Sequence, residues 1–131
     1  MPEQELPTRG QLERSLSQNI QGLYRQQLGH QPSRVTCNLI GEQLTVIIED
    51  AITQPELFLM EKGKEELTEE VRLNLEDFLK GSLKTLVKDI IGVEVIDLLS
   101  DTTLETGRSA VIAVLASKPK LRRKSSDSEI S

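Results

Sequence analysis

The sequence predicts an α+β fold, a two-layer sandwich in the order α-β-β-α(α)-β-β with one four-stranded antiparallel sheet and helices on one face. Three observations carry this. Two pairs of short apolar runs flank one long amphipathic stretch, residues 53–91. The first pair is separated only by Gly41 and Glu42, which leaves room for an antiparallel hairpin and for no crossover. The core must be aliphatic, since Tyr24, Phe58 and Phe78 are the only aromatic residues.

Taken in order, residues 1–10 are polar, carry two prolines and are expected to be flexible. Leu12, Leu16, Ile20, Leu23 and Leu28 recur at helical spacing, predicting a helix over 11–28 that ends at Gly29. In residues 34–40, Val35, Cys37 and Leu39 alternate with Arg34, Thr36 and Asn38; in the next run Leu44, Val46 and Ile48 alternate with Thr45, Ile47 and Glu49. These form the hairpin.

The long stretch begins with Thr53-Gln54-Pro55-Glu56, a capping-box pattern with proline in the first turn. Its apolar positions are Leu57, Met60, Leu67, Val71, Leu75, Phe78, Leu79, Leu86, Val87 and Ile90, which spacing assigns to one face. An unbroken rod of this length would measure roughly 55 Å, about twice the span of an eight-residue strand. A break at Gly63 is therefore predicted, giving helices over 54–62 and 65–91 that end at Gly92. Even the second overhangs its sheet, which predicts a homodimer. Strands are expected over 93–99 and 109–117, joined by a polar connection over 100–108. The last strand is apolar on both faces (Val111, Ile112, Val114, Leu115), predicting a central place in the sheet or an interface.

One domain over 11–117 accounts for the folded part, followed by a basic, serine-rich tail over 118–131 expected to be disordered. The net charge of −5 is unevenly spread. The tail carries five basic residues against Asp127 and Glu129, or +3, leaving −8 on residues 1–117. An acidic body with three aromatics argues against nucleic acid as partner. No apolar run approaches a membrane span, and the first residues lack the pattern of a secretory signal. A single cysteine excludes an internal disulfide and fits a reducing cytoplasm.

Few residues invite chemistry. His30 is the only histidine, and its turn position suggests a solvent-facing side chain with a structural or neutral role. Cys37 falls on the inward side of a strand, where it reads as a small core residue. Glu65, Glu66, Glu69 and Glu70 complement a helix N-terminus and read as a solvated face. No glycine-rich phosphate loop, cysteine pair or His-Glu-x-x-His motif is present. Ser100, Asp101, Thr102 and Thr103 are the better candidate for binding a ligand or partner, weighed against a turn that only shapes the strand connection. In the tail, Lys118, Lys120, Arg122, Arg123 and Lys124 could contact an anionic lipid surface. Phosphorylation of Ser125 and Ser126 would cancel that attraction. The plainer reading of the tail is a solubilising extension.

Several stretches resemble a bacterial domain family named for the C component of a Na+-translocating, membrane-potential-generating system, the MpsC domain. Residues 18–29 with Gly29-His30-Gln31-Pro32 are similar to its first helix and Gly-x-x-Pro turn. Val46-Ile47-Ile48-Glu49, Ile52-Thr53 and Glu56 are similar to its strand and "LT-x-x-E" helix start. Leu98-Leu99-Ser100-Asp101-Thr102 is similar to its "LSDT" signature. The resemblance runs from about residue 14 to 117. Thr103-Leu104-Glu105-Thr106-Gly107 departs from it where the family continues with Asp- and Pro-rich residues. The resemblance implies association with a membrane ion-transport system. The expected function is that of a non-enzymatic cytoplasmic accessory or regulatory protein, without cofactor or metal, peripheral to the inner face of the membrane. It would dock to transporter subunits. The alternative is a small-molecule or ion-sensing module using the 100–107 loop.

Overall fold

The computed structural model describes residues 5–122. Thr8 sets the first element. Its hydroxyl accepts from the Gln11 amide (3.1 Å), and the Gln11 side chain accepts from the Thr8 amide (2.8 Å). This reciprocal cap starts helix α1 at Arg9–Leu28, two residues earlier than the apolar spacing predicts. Gly29, left-handed at φ 62°, closes it. Strands β1 (Arg34–Ile40) and β2 (Gln43–Glu49) follow, then helices α2 (Gln54–Glu61) and α3 (Glu65–Ile91), then strands β3 (Val95–Thr103) and β4 (Arg108–Leu115).

The four strands make one antiparallel sheet in the order β1-β2-β4-β3. Strand β4, apolar on both faces, is central as expected. The register aligns inward rows across the sheet: Cys37 pairs with Val46, Val46 with Val111, and Val111 with Ser100. One row over, Leu39, Leu44, Ala113 and Leu98 align. Buried residues of α1 (Leu12, Leu16, Ile20, Tyr24) and of α3 (Leu79, Leu83, Val87, Ile91) form one core with these rows, so the helices cover one face.

The opposite face of the sheet is open. Ile40 is 70% exposed, Leu99 60% and Ile112 42%. Ile96 sits at a register shift between Val95 and Asp97 and is also exposed.

The break at Gly63 stands where the sequence placed it, with φ 71° at the glycine. The buried phase of α3 differs from the expected stripe. From Leu79 onward every fourth residue is buried, and this row includes Leu83 and Ile91. In the first half the buried residues are Thr68 and Arg72, while Leu67, Leu73 and Phe78 are exposed. The cause is geometric. That half packs against α2, and α2 offers it the buried carboxylate of Glu56.

Lys118 to Arg122, assigned by sequence to the disordered tail, pack on the body. Pro119 is buried, Leu121 lies against the core, and the Arg122 amide donates to the Pro7 carbonyl (2.7 Å). Arg123, Lys124, Ser125 and Ser126 lie outside the described residues.

Candidate functional site

Of the buried polar residues, Thr53, Glu56 and Arg72 gather where α2 meets α3. The capping motif that starts α2 supplies the first of them. Glu56 is fully buried, and its Oε1 accepts from the Thr53 amide (3.0 Å), the Thr53 hydroxyl (2.8 Å) and Arg72 Nη2 (2.6 Å). Arg72 Nε donates to the second oxygen (2.7 Å), which makes the pair bidentate. Arg72 Nη2 also donates to the Ala51 carbonyl (3.0 Å). Nη1, buried with the rest of the side chain, has no hydrogen-bond partner among the described residues.

Burying two charges is costly, and this pair offsets part of that cost by bonding both carboxylate oxygens and the Nε and Nη2 donors of the guanidinium. Its effect is to fasten three segments together: the entry to α2, the first half of α3, and the turn after β2. Ala51 is held on its other side as well, donating its amide to Gly107 (2.8 Å). Gly107 has φ 75°, and a Cβ there would meet the Ile52 side chain at 3.7 Å. His30 donates through Nε2 to the Asp50 carbonyl (2.6 Å), tying the first turn to the same segment.

Tyr24 reaches this region from α1. Burial pushes its phenol above the ordinary value, with the neighbouring Arg72 pulling it back down. Folded protein therefore holds this proton to higher pH than unfolded chain. The associated stability is complete below about pH 10 and is lost as pH rises through the folded value. Burial raises the Cys37 thiol too, adding a loss of the same sign. Tyr24→Phe is expected to flatten the alkaline limb of a plot of urea midpoint against pH. Comparison with wild type isolates the phenol from the thiol.

Beyond Tyr24 lies a small oxygen-rich cluster. The Thr102 hydroxyl donates to the Glu76 carboxylate, so its single proton is used. Ser109, its cross-strand neighbour, must then donate to Thr102. Glu76, Ser100, Ser109 and Tyr24 line a cavity of about 10 Å³, room for about one water.

The structure divides the four residues that sequence singled out. They lie inside β3 and not in a connection, which is confined to 104–107. A strand alternates faces, so Ser100 and Thr102 turn inward to the cluster. Asp101 and Thr103 are exposed on the open face, where the Asp101 carboxylate accepts from the Thr102 amide (2.9 Å). Glu56, Arg72, Tyr24 and Glu76 were missed as site residues. The capping motif identified Glu56, but nothing in an acidic, apparently solvated helix marked Arg72 as its buried partner.

Of the basic residues proposed for an anionic surface, Lys118 and Lys120 are exposed and Arg122 is partly covered. Among the described residues, no three or more His, Cys, Asp or Glu side chains gather to hold a metal, and no helix is long and apolar enough to cross a membrane.

Residues 8–117 match the family model described as Na+-translocating membrane potential-generating system (MpsC). The match begins at the Thr8 cap, earlier than the resemblance read from motifs, and ends just after β4. No curated protein and no solved structure matches the chain.

Proposed function

Because the chain belongs to the MpsC family, we propose that it is a non-enzymatic accessory or regulatory component of a Na+-translocating, membrane-potential-generating system, acting by docking to other proteins. It works in the cytoplasm, peripheral to the membrane, and takes no cofactor. The observation that carries this reading is where the large apolar residues lie. Single exposed ones are ordinary on any surface. Here they are gathered on two surfaces, the open sheet face and the α2–α3 pair. Gathered apolar surface of this kind marks contact sites.

The sheet face suits a second copy of the chain. Its centre holds Ile47, Leu99, Ile112 and Val114, and its margin holds both signs of charge: Arg34 and Arg108 against Glu49, Asp97 and Asp101. Four strands about eight residues long present on the order of 500 Å² per copy. Two such faces reach the roughly 1,000 Å² that a specific interface needs. Ile112→Lys is expected to give a monomeric mass by sedimentation at micromolar concentration where wild type gives a dimer. A monomeric wild type would refute the dimer.

The accessory role is tested by sedimenting the purified chain with native membranes that contain the translocating system and, separately, with protein-free liposomes. Retention by the first only is the expected result. Equal retention by liposomes would transfer the interaction to lipid and to the basic residues 118–124.

One observation favours the alternative of an ion-sensing module: Ser100, Glu76 and Ser109 line the small cavity, and Thr102 is bonded to the latter two. The space limits any guest to a single small ion, and Arg72 close to Tyr24 opposes a cation there. A salt-specific melting shift abolished by Glu76→Gln would favour this alternative over docking.

A further inference from the structure

Helix α2 packs against the N-terminal half of α3, and the two form an arm joined to the sheet through the Glu76–Thr102 bond. Leu67, Val71, Leu75 and Phe78 fall at intervals of four, four and three, which places them on one side of α3. Phe78 is 59% exposed and Phe58, on α2, 57%. Both phenylalanines of the chain thus sit on the arm's surface, while the aliphatic core is complete without them. Aromatic residues are enriched in the centres of protein interfaces. The arm is also held firmly. The Glu56–Arg72 pair locks α2 to α3, so little ordering remains to be lost on binding.

Charge selects the occupant. Residues 61–78 carry seven carboxylates against Lys62, Lys64 and Arg72, a net −4 in a chain whose total is −5. A second copy laid arm to arm would bring like charges together, whereas the sheet face, with both signs, does not have this problem.

We propose that the α2–α3 arm binds a basic amphipathic helix of a partner protein, its apolar side on the stripe ending at Phe78 and its Lys and Arg residues against the flanking carboxylates. The proposal rests on the accessory reading above and deepens it. Segments bordering the cytoplasmic ends of membrane spans are enriched in Lys and Arg, so a membrane subunit presents this chemistry where a peripheral protein can reach it.

The test uses the full chain and a fluorescent peptide of Leu and Lys, amphipathic over about five turns, together with its Glu-for-Lys analogue. Anisotropy is expected to report binding of the Lys peptide only. Affinity should fall at least about tenfold in Phe78→Ser and in Leu67→Ser, and should weaken as salt is raised to ~0.5 M. Ile112→Lys, on the sheet face, should bind as wild type does. Equal binding of the Glu analogue, or unchanged binding by both Ser variants, would overturn the proposal. So would loss of self-association in Phe78→Ser, which would make a second copy the occupant. Circular dichroism confirms that each variant is folded. The two readings separate on native membranes. If wild type and Phe78→Ser sediment equally with them, the accessory role stands and this surface falls. If the peptide binds and the membranes do not, the surface stands and the accessory role falls.

Discussion

Arg72→Met is expected to destabilise the folded chain by about 3–5 kcal/mol, the cost of leaving a buried charge without its partner. In a domain of this size that corresponds to a loss of more than ~10 °C in melting temperature. The side chain is 5% exposed, so water cannot replace the lost partner of Glu56. Adding Glu56→Leu is expected to recover a large share of the loss, because the stranded carboxylate is removed with it. Recovery will be incomplete. Thr53 and Ala51 would still lose hydrogen bonds to the pair, at about 1–3 kcal/mol for each buried group left unsatisfied. Urea denaturation of the two single variants and the double completes the cycle. Additive losses would show that the pair does not act as a unit.

The second large effect concerns which side of α3 faces the core. Leu79→Ala is expected to cost about 2–5 kcal/mol, since Leu79 is 2% exposed among Ile20, Val111 and their neighbours in one core. Leu67→Ala, twelve residues earlier on the same helix, is expected to change stability by no more than about 0.5 kcal/mol. Both leucines belong to the stripe that spacing assigns to one face. Comparable losses at the two positions would mean that the first half of α3 is packed as a core helix after all.

That contrast shows how far the sequence could be read. The alternating runs of the first hairpin, the break at Gly63 and the central place of β4 were legible, because each depends on local chemistry: period two, a left-handed glycine, apolar residues on both faces. The phase of α3 was not. Its first half turns polar Thr68 and Arg72 inward and apolar Leu67 and Phe78 outward, the reverse of what hydropathy counts. Hydropathy cannot separate a leucine that packs in the core from one held for a partner, nor a solvated arginine from one matched to a carboxylate 16 positions earlier. The Ser100 to Thr103 segment was misplaced for a related reason. Short polar side chains favour turns, but pairing with β4 and the Thr102 bonds to Glu76 and Ser109 extend the strand through them. As an edge strand, β3 has use for such residues, since outward carboxylates at Asp97 and Asp101 discourage further strand pairing.

Membrane vesicles from cells lacking the chain, loaded with a potential-sensitive dye, test the central claim most directly. An accessory of the translocating system predicts a diminished Na+-dependent potential, restored by adding purified wild-type protein and not by Phe78→Ser. A Na+-dependent potential that is the same with and without the chain would contradict it.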